Sequence, residues 1–95
     1  MEFQVSGEVF EWRGPAPFYF VAMSKEQSDE IETYKKQLTY GWGVIPAEVT
    51  VGEVTSKTAL IPKDGLFLVP LKDLFRKPLG ISAGSSVELI VNLRG

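Results

Sequence analysis

From Val87 to Leu93 the residues alternate with a period of two: Val87, Leu89, Val91 and Leu93 on one side, Glu88, Ile90 and Asn92 on the other. Successive strand side chains point to opposite faces, so this series predicts a β-strand with one buried face. The same period links Phe3, Val5 and Val9 near the N-terminus. Phe10 and Trp12 fall in the opposite phase, and a glycine inside a strand often marks a bulge. A bulge at Ser6-Gly7 is therefore expected to rotate both aromatic residues back toward the core. Phe18 to Met23 is almost wholly apolar, which predicts a strand covered on both faces.

Turn residues divide the chain between these runs. Arg13-Gly14-Pro15-Ala16-Pro17 reads as a loop, because its glycine and prolines break a ladder. Strands are expected over Val44–Val51 and Glu53–Ile61, joined by a type II′ hairpin with Gly52 at its first corner. Pro46 donates no hydrogen bond, which places it at an edge or a bulge. Pro62-Lys63-Asp64-Gly65 reads as a second hairpin turn, leading into a buried strand at Leu66–Val69.

Two helices are expected. Ser24 caps the first, with Gln27 at the position a capping box requires. Its acids Glu26, Asp29 and Glu30 lie early and Lys35-Lys36 late, which suits the helix dipole. Ile31, Tyr34 and Leu38 form a sparse apolar stripe, and Gly41-Trp42-Gly43 stops the helix. The second opens at Pro70, whose missing N–H costs nothing at a first helical position. Leu71, Leu74, Phe75 and Leu79 give it one apolar face, and Pro78 ends it.

Strand, helix, glycine stop and strand thus occur twice, over 18–51 and 66–93. A chain of 95 residues forms one domain, here 1–95. The fold class expected is mainly β with two short helices: a small closed β-barrel of two pseudo-duplicated strand–helix–strand halves in one chain. Closing the sheet removes edges that would otherwise pair with other chains.

Composition bounds the chemistry. There is no cysteine and no histidine, which excludes disulfides, thiolate nucleophiles, Cys-based zinc sites and the usual neutral-pH acid/base group. No cofactor is expected. No run approaches the ~20 apolar residues of a membrane span, and Met1-Glu2-Phe3-Gln4 lacks the basic start of a signal peptide. A cytoplasmic location with no membrane partner follows as an expectation. The net charge is −2, divided unevenly: nine acids against four bases over 1–55 (−5), and three against six over 56–95 (+3).

"VPLKDLFRKPLGISAGSSVEL" (69–89) resembles the proline–helix–Leu-Gly-Ile–strand element of AbrB/MazE-type DNA-binding domains. Across nearly its whole length the chain resembles the prokaryotic family termed domain of unknown function 1905. The landmarks are "GPAPFYFVAM" (14–23), "GWG" (41–43), "KTALIPKDGLFLVPLKDLFRK" (57–77) and "LGISAG" (79–84). The resemblance implies a double-split barrel related to the AbrB type but contained in one chain, and it implies no activity. Where the family commonly has Gly-Asp before the last strand, this chain has Gly84-Ser85. A serine there caps backbone N–H groups more weakly than the acid.

Three functional classes are weighed. An enzyme would have to work with Asp, Glu, Lys or Tyr alone, and its obvious carboxylates, Glu26, Asp29, Glu30 and Glu32, lie on an exposed helix. An AbrB-like nucleic-acid-binding regulator would need several phosphate-contacting cations, and the acidic chain lacks that footprint. The preferred reading is a non-catalytic binding or interaction module, monomeric, for a protein or small-molecule ligand. Its candidate contact residues are Trp12 and Trp42, the aromatic type that most often anchors interfaces, and the basic pair Lys72 and Arg76. No catalytic or metal-binding residue is assigned.

Overall fold

The computed structural model describes residues 1–13, 17–38 and 45–93. Among these described residues seven strands and two helices follow one another as β1 (Glu2–Glu8), β2 (Phe10–Arg13), β3 (Pro17–Ala22), α1 (Lys25–Leu38), β4 (Ile45–Val51), β5 (Val54–Lys63), β6 (Leu66–Pro70), α2 (Asp73–Leu79) and β7 (Ser86–Leu93). The fold is mainly β, with one curled antiparallel sheet in the order β1-β7-β4-β5-β6-β3-β2.

Two strands set the curl. β5 pairs with β4 from Val54 to Leu60 and with β6 from Ile61 to Lys63. β1 pairs with β7, and β2, one residue further along the chain, pairs with β3. Strands that pass from one part of a sheet to another make its corners. The molecule therefore has a first part, β1-β7-β4 with the start of β5, and a second part, the end of β5 with β6-β3-β2. The two ends of the strand order, β1 and β2, are separated only by Val9. The Val9 amide donates to Ser85 O at 2.8 Å, and Val9 O accepts from Gly84 N at 2.8 Å.

The alternation expected of β7 is observed: Leu89, Val91 and Leu93 are buried. They meet Phe3, Val5, Ala47 and Val49 across the ladders and join Val21, Met23, Phe67 and Val69 in one core. Ile31 of α1 and Phe75 of α2 are buried in that same core. The capping box also forms: Gln27 N–H donates to Ser24 Oγ at 3.1 Å, and Ser24 N–H to Gln27 Oε1 at 3.3 Å. Gln27 Nε2 reaches Gln4 O at 2.7 Å, which ties the helix start to β1. Ser28 is buried, and its Oγ accepts the Phe67 amide at 3.1 Å. Tyr34, expected on the apolar stripe, is exposed, so the helix buries a narrower face than its sequence suggests.

Several local expectations need correction. The β1–β7 register runs unbroken through Ser6↔Glu88 and Gly7↔Val87, so no bulge forms there. Gly7 is used instead for close approach to β3, since a Cβ there would lie 3.0 Å from Val21 Cγ1. The second hairpin turns at Asp64-Gly65, with φ of 52° and 80°, as a two-residue type I′ turn requires. Pro62 lies in β5, opposite Phe67. Pro70 ends β6 instead of starting α2, which Lys72 precedes as N-cap. Pro78 lies inside α2, and left-handed Gly80 closes the helix by donating to Arg76 O. Leu79 is exposed. Gly52 has φ of 60° and Glu53 none of positive sign, as the expected type II′ hairpin requires. No helix among the described residues is long and apolar enough to cross a membrane.

Candidate functional site

Because no bulge reverses the phase of the first strand segment, Phe10 and Trp12 keep the outward phase of Gln4, Ser6 and Glu8. In β2–β3 the register places Phe10 opposite Phe20 and Trp12 opposite Phe18. Directly opposed residues of an antiparallel pair share a face, so all four rings lie on the outside of the sheet. Phe20 is 3% exposed, yet it belongs to the outer face and not to the central core. Its ring centroid lies 5.9 Å from Phe10, 6.1 Å from Trp12 and 6.4 Å from Phe18, with tilts of 33–50°. The three surrounding rings cover Phe20 and stay open themselves: Phe10 is 39% exposed, Trp12 45% and Phe18 58%. The expectation that Phe18–Met23 is covered on both faces therefore holds for Phe20 and Val21 and fails for Phe18.

The face extends onto β6 and β5. Leu68, 4% exposed, shares it with Ile61, its partner on β5. Lys63 Nζ stands 3.7 Å from the centroid of Trp12. Lys63 is on β5 and Trp12 on β2, with β6 and β3 between them in the sheet. The two side chains therefore span this outer face, an arrangement a strongly twisted sheet permits. An ammonium over an indole contributes about 0.5–1 kcal/mol at an exposed position.

The remaining sequence candidates lie elsewhere. Lys72 Nζ donates to Lys57 O at 2.5 Å. The Arg76 guanidinium stacks over Tyr19 at 3.7 Å, on the face of β3 opposite Phe18 and Phe20. The two cations, one helical turn apart in sequence, thus contact different strands. Trp42 lies outside the described residues. Ser85 Oγ accepts the Ser82 amide at 3.1 Å, so this serine caps a backbone N–H of the loop, as expected.

Three of the surface clefts formed by described residues lie away from Trp12, which lines none of the three. One of about 310 Å³ lies over β1 and β7 between Gln4, Ser6, Thr50 and Glu88. A second of about 530 Å³ adjoins it along Glu8 and Ser86. A third of about 150 Å³ lies between Glu48 and Lys57. A small-molecule site is normally a largely apolar cavity of about 300–1,000 Å³ with a few convergent polar groups; the cleft walled by Pro46, Ala47, Glu48, Lys57 and Thr58 is smaller than that, and the two over β1 and β7 are bordered by Ser6 and Glu88. Among the described residues no group of three or more acids lies where it would hold a metal ion.

Sequence reasoning identified Trp12 and missed Phe10, Phe18, Phe20 and Lys63. The available signal was the phase of Phe10 and Trp12, which the assumed bulge explained away.

Sheet, helices and outer face define a small, mainly β domain that presents aromatic side chains on one surface. The chain belongs to the family Domain of unknown function (DUF1905), whose model matches residues 6–91. No curated protein and no solved structure matches the chain.

Proposed function

We propose that the domain is a non-catalytic interaction module that docks a short segment of a partner protein on the Phe10–Trp12–Phe18 face. The carrying observation is three partly exposed aromatic rings set around a buried fourth. Single exposed apolar residues are ordinary on soluble proteins, whereas the largest contiguous apolar patch of a monomer is often functional. Tryptophan dominates interface hot spots, and a ring fixed by its neighbours has little freedom to lose on binding.

Area limits the partner. At 150–250 Å² per aromatic side chain, the exposed fractions amount to roughly 200–350 Å². A stable protein–protein interface needs about 800 Å² from each side, which favours a short segment over a second copy and supports a monomer. Open rings on a sheet face favour a protein segment over a small-molecule ligand, which normally takes a concave cavity.

The architecture that goes with this reading is a closed double-split barrel, distantly AbrB-like. Exchanging β1/β2–β3–α1–β4 for β5–β6–α2–β7 leaves the pairing pattern unchanged: β3 pairs with β6 and β4 with β7. That symmetry supports a pseudo-duplicated chain containing both halves. A cytoplasmic protein fits the cysteine-free composition.

Selection from a displayed library of random short peptides tests the function. Peptides enriched on the wild-type domain are expected to lose at least about fivefold in affinity on Phe18→Ser and on Trp12→Ser, since one anchor side chain contributes upwards of about 1 kcal/mol. Binding unaffected by both substitutions, in variants with unchanged circular dichroism, contradicts the reading.

A further inference from the structure

Resting on that docking reading, the charge of the aromatic face identifies the kind of segment it takes. Of the described side chains that β2, β3, β6 and the end of β5 place on this face, Lys63 alone carries a charge; Glu8, two residues before Phe10 in the same phase, belongs to β1 and lies against Ser86. Asp64, beside it in sequence, belongs to the turn. Among the described residues the Lys63 ammonium makes no hydrogen bond or ion pair, and its contact is the face of Trp12. Lys25, by contrast, holds Asp29 at 2.7 Å. An ammonium has three N–H donors and no acceptor, and a ring beneath it leaves donors directed outward. Any carboxylate docked beside Trp12 meets a cation already held in place.

We infer that the segment docked on this face is an acidic apolar peptide, with apolar side chains against Phe10, Trp12 and Phe18 and a carboxylate on Lys63 Nζ. Single-stranded nucleic acid fits less well. Stacking would suit the rings, but a strand needs cations along its backbone, and among the described side chains this face has one. The rings are also tilted by 33–50° to Phe20 instead of forming a flat platform. Lys72 and Arg76 make their contacts away from the face.

The test uses the displayed random-peptide library, with poly(U) as a second probe. Peptides enriched on the wild-type domain are expected to contain an Asp or Glu near an apolar or aromatic residue. Lys63→Met is expected to weaken them about two- to fivefold, the range for an exposed ion pair. Lys63→Glu is expected to reverse the selected charge toward Lys and Arg, and raised salt to narrow the difference. Enrichment without charge preference, or affinity unchanged by Lys63→Met, overturns the inference; if binding still falls on Phe18→Ser, the docking face itself stands. No enrichment at all, or enrichment insensitive to Phe18→Ser, removes the docking reading too. Tight poly(U) binding lost on Trp12→Ser overturns the peptide inference in favour of nucleic acid.

Discussion

The two outer faces of this sheet have opposite characters although the same long strands run through both. Over β1, β7 and β4 the outward residues include Glu2, Gln4, Ser6, Glu8, Glu48, Thr50, Glu88 and Asn92, with Pro46 and Ile90 as apolar exceptions. Thr50 and Thr55 join hydroxyls across the β4–β5 ladder at 2.8 Å. Over β2, β3 and β6 the outward residues are Phe10, Trp12, Phe18, Phe20, Leu68 and Pro70. Both parts bury their inner residues in one core, so folding needs no apolar outer face on the second. A half-wetted antiparallel strand ordinarily alternates apolar and polar, as the first part does. The second part departs from that rule where it exposes Trp12 and Phe18, and departures of this kind are expected at functional surfaces.

The largest expected effect comes from the floor of that face. Phe20→Ala removes a buried ring and is expected to cost about 3 kcal/mol, at the low end for such truncations because the site lies outside the central core. Thr50→Ala, at a half-buried position of the polar face, is expected to cost under about 1 kcal/mol, the range for one cross-strand hydroxyl pair. Urea titration of both variants measures the contrast. Equal losses would mean that the aromatic cluster adds nothing to stability beyond what the polar face supplies.

A smaller effect sharpens the same comparison. Lys63→Met removes the ammonium from Trp12 and is expected to lower stability by about 0.5–1 kcal/mol. It should also change Trp12 emission when measured in a Trp42→Phe background. No change in emission would show that the two side chains do not meet in solution.

The alternation of Val87–Leu93, the Ser24 capping box, the Gly52 hairpin and the two strand–helix–strand runs were legible because each is a local signal with one physical solution. Pro70 and Pro78 misled. Proline fits a first helical turn, but it also fits the end of a strand, and the β3–β6 ladder decided between them at Pro70. The aromatic face was half legible. Trp12 was identified by residue type, while Phe18 read as core because an apolar run carries no mark of which side is left open. That depends on whether another element covers the sheet, which is settled by tertiary packing. Lys63 could not be assigned to the face at all, because its contact with Trp12 arises from the twist of four strands.

The most direct test of the central claim is a ¹⁵N–¹H correlation titration of the folded domain with a library-selected peptide, read face against face. Shift changes concentrated at Phe10, Trp12, Phe18 and Lys63, with Gln4, Thr50 and Ile90 unmoved, are the predicted result. Changes concentrated at Gln4, Thr50 and Ile90, with the aromatic face unmoved, would contradict it.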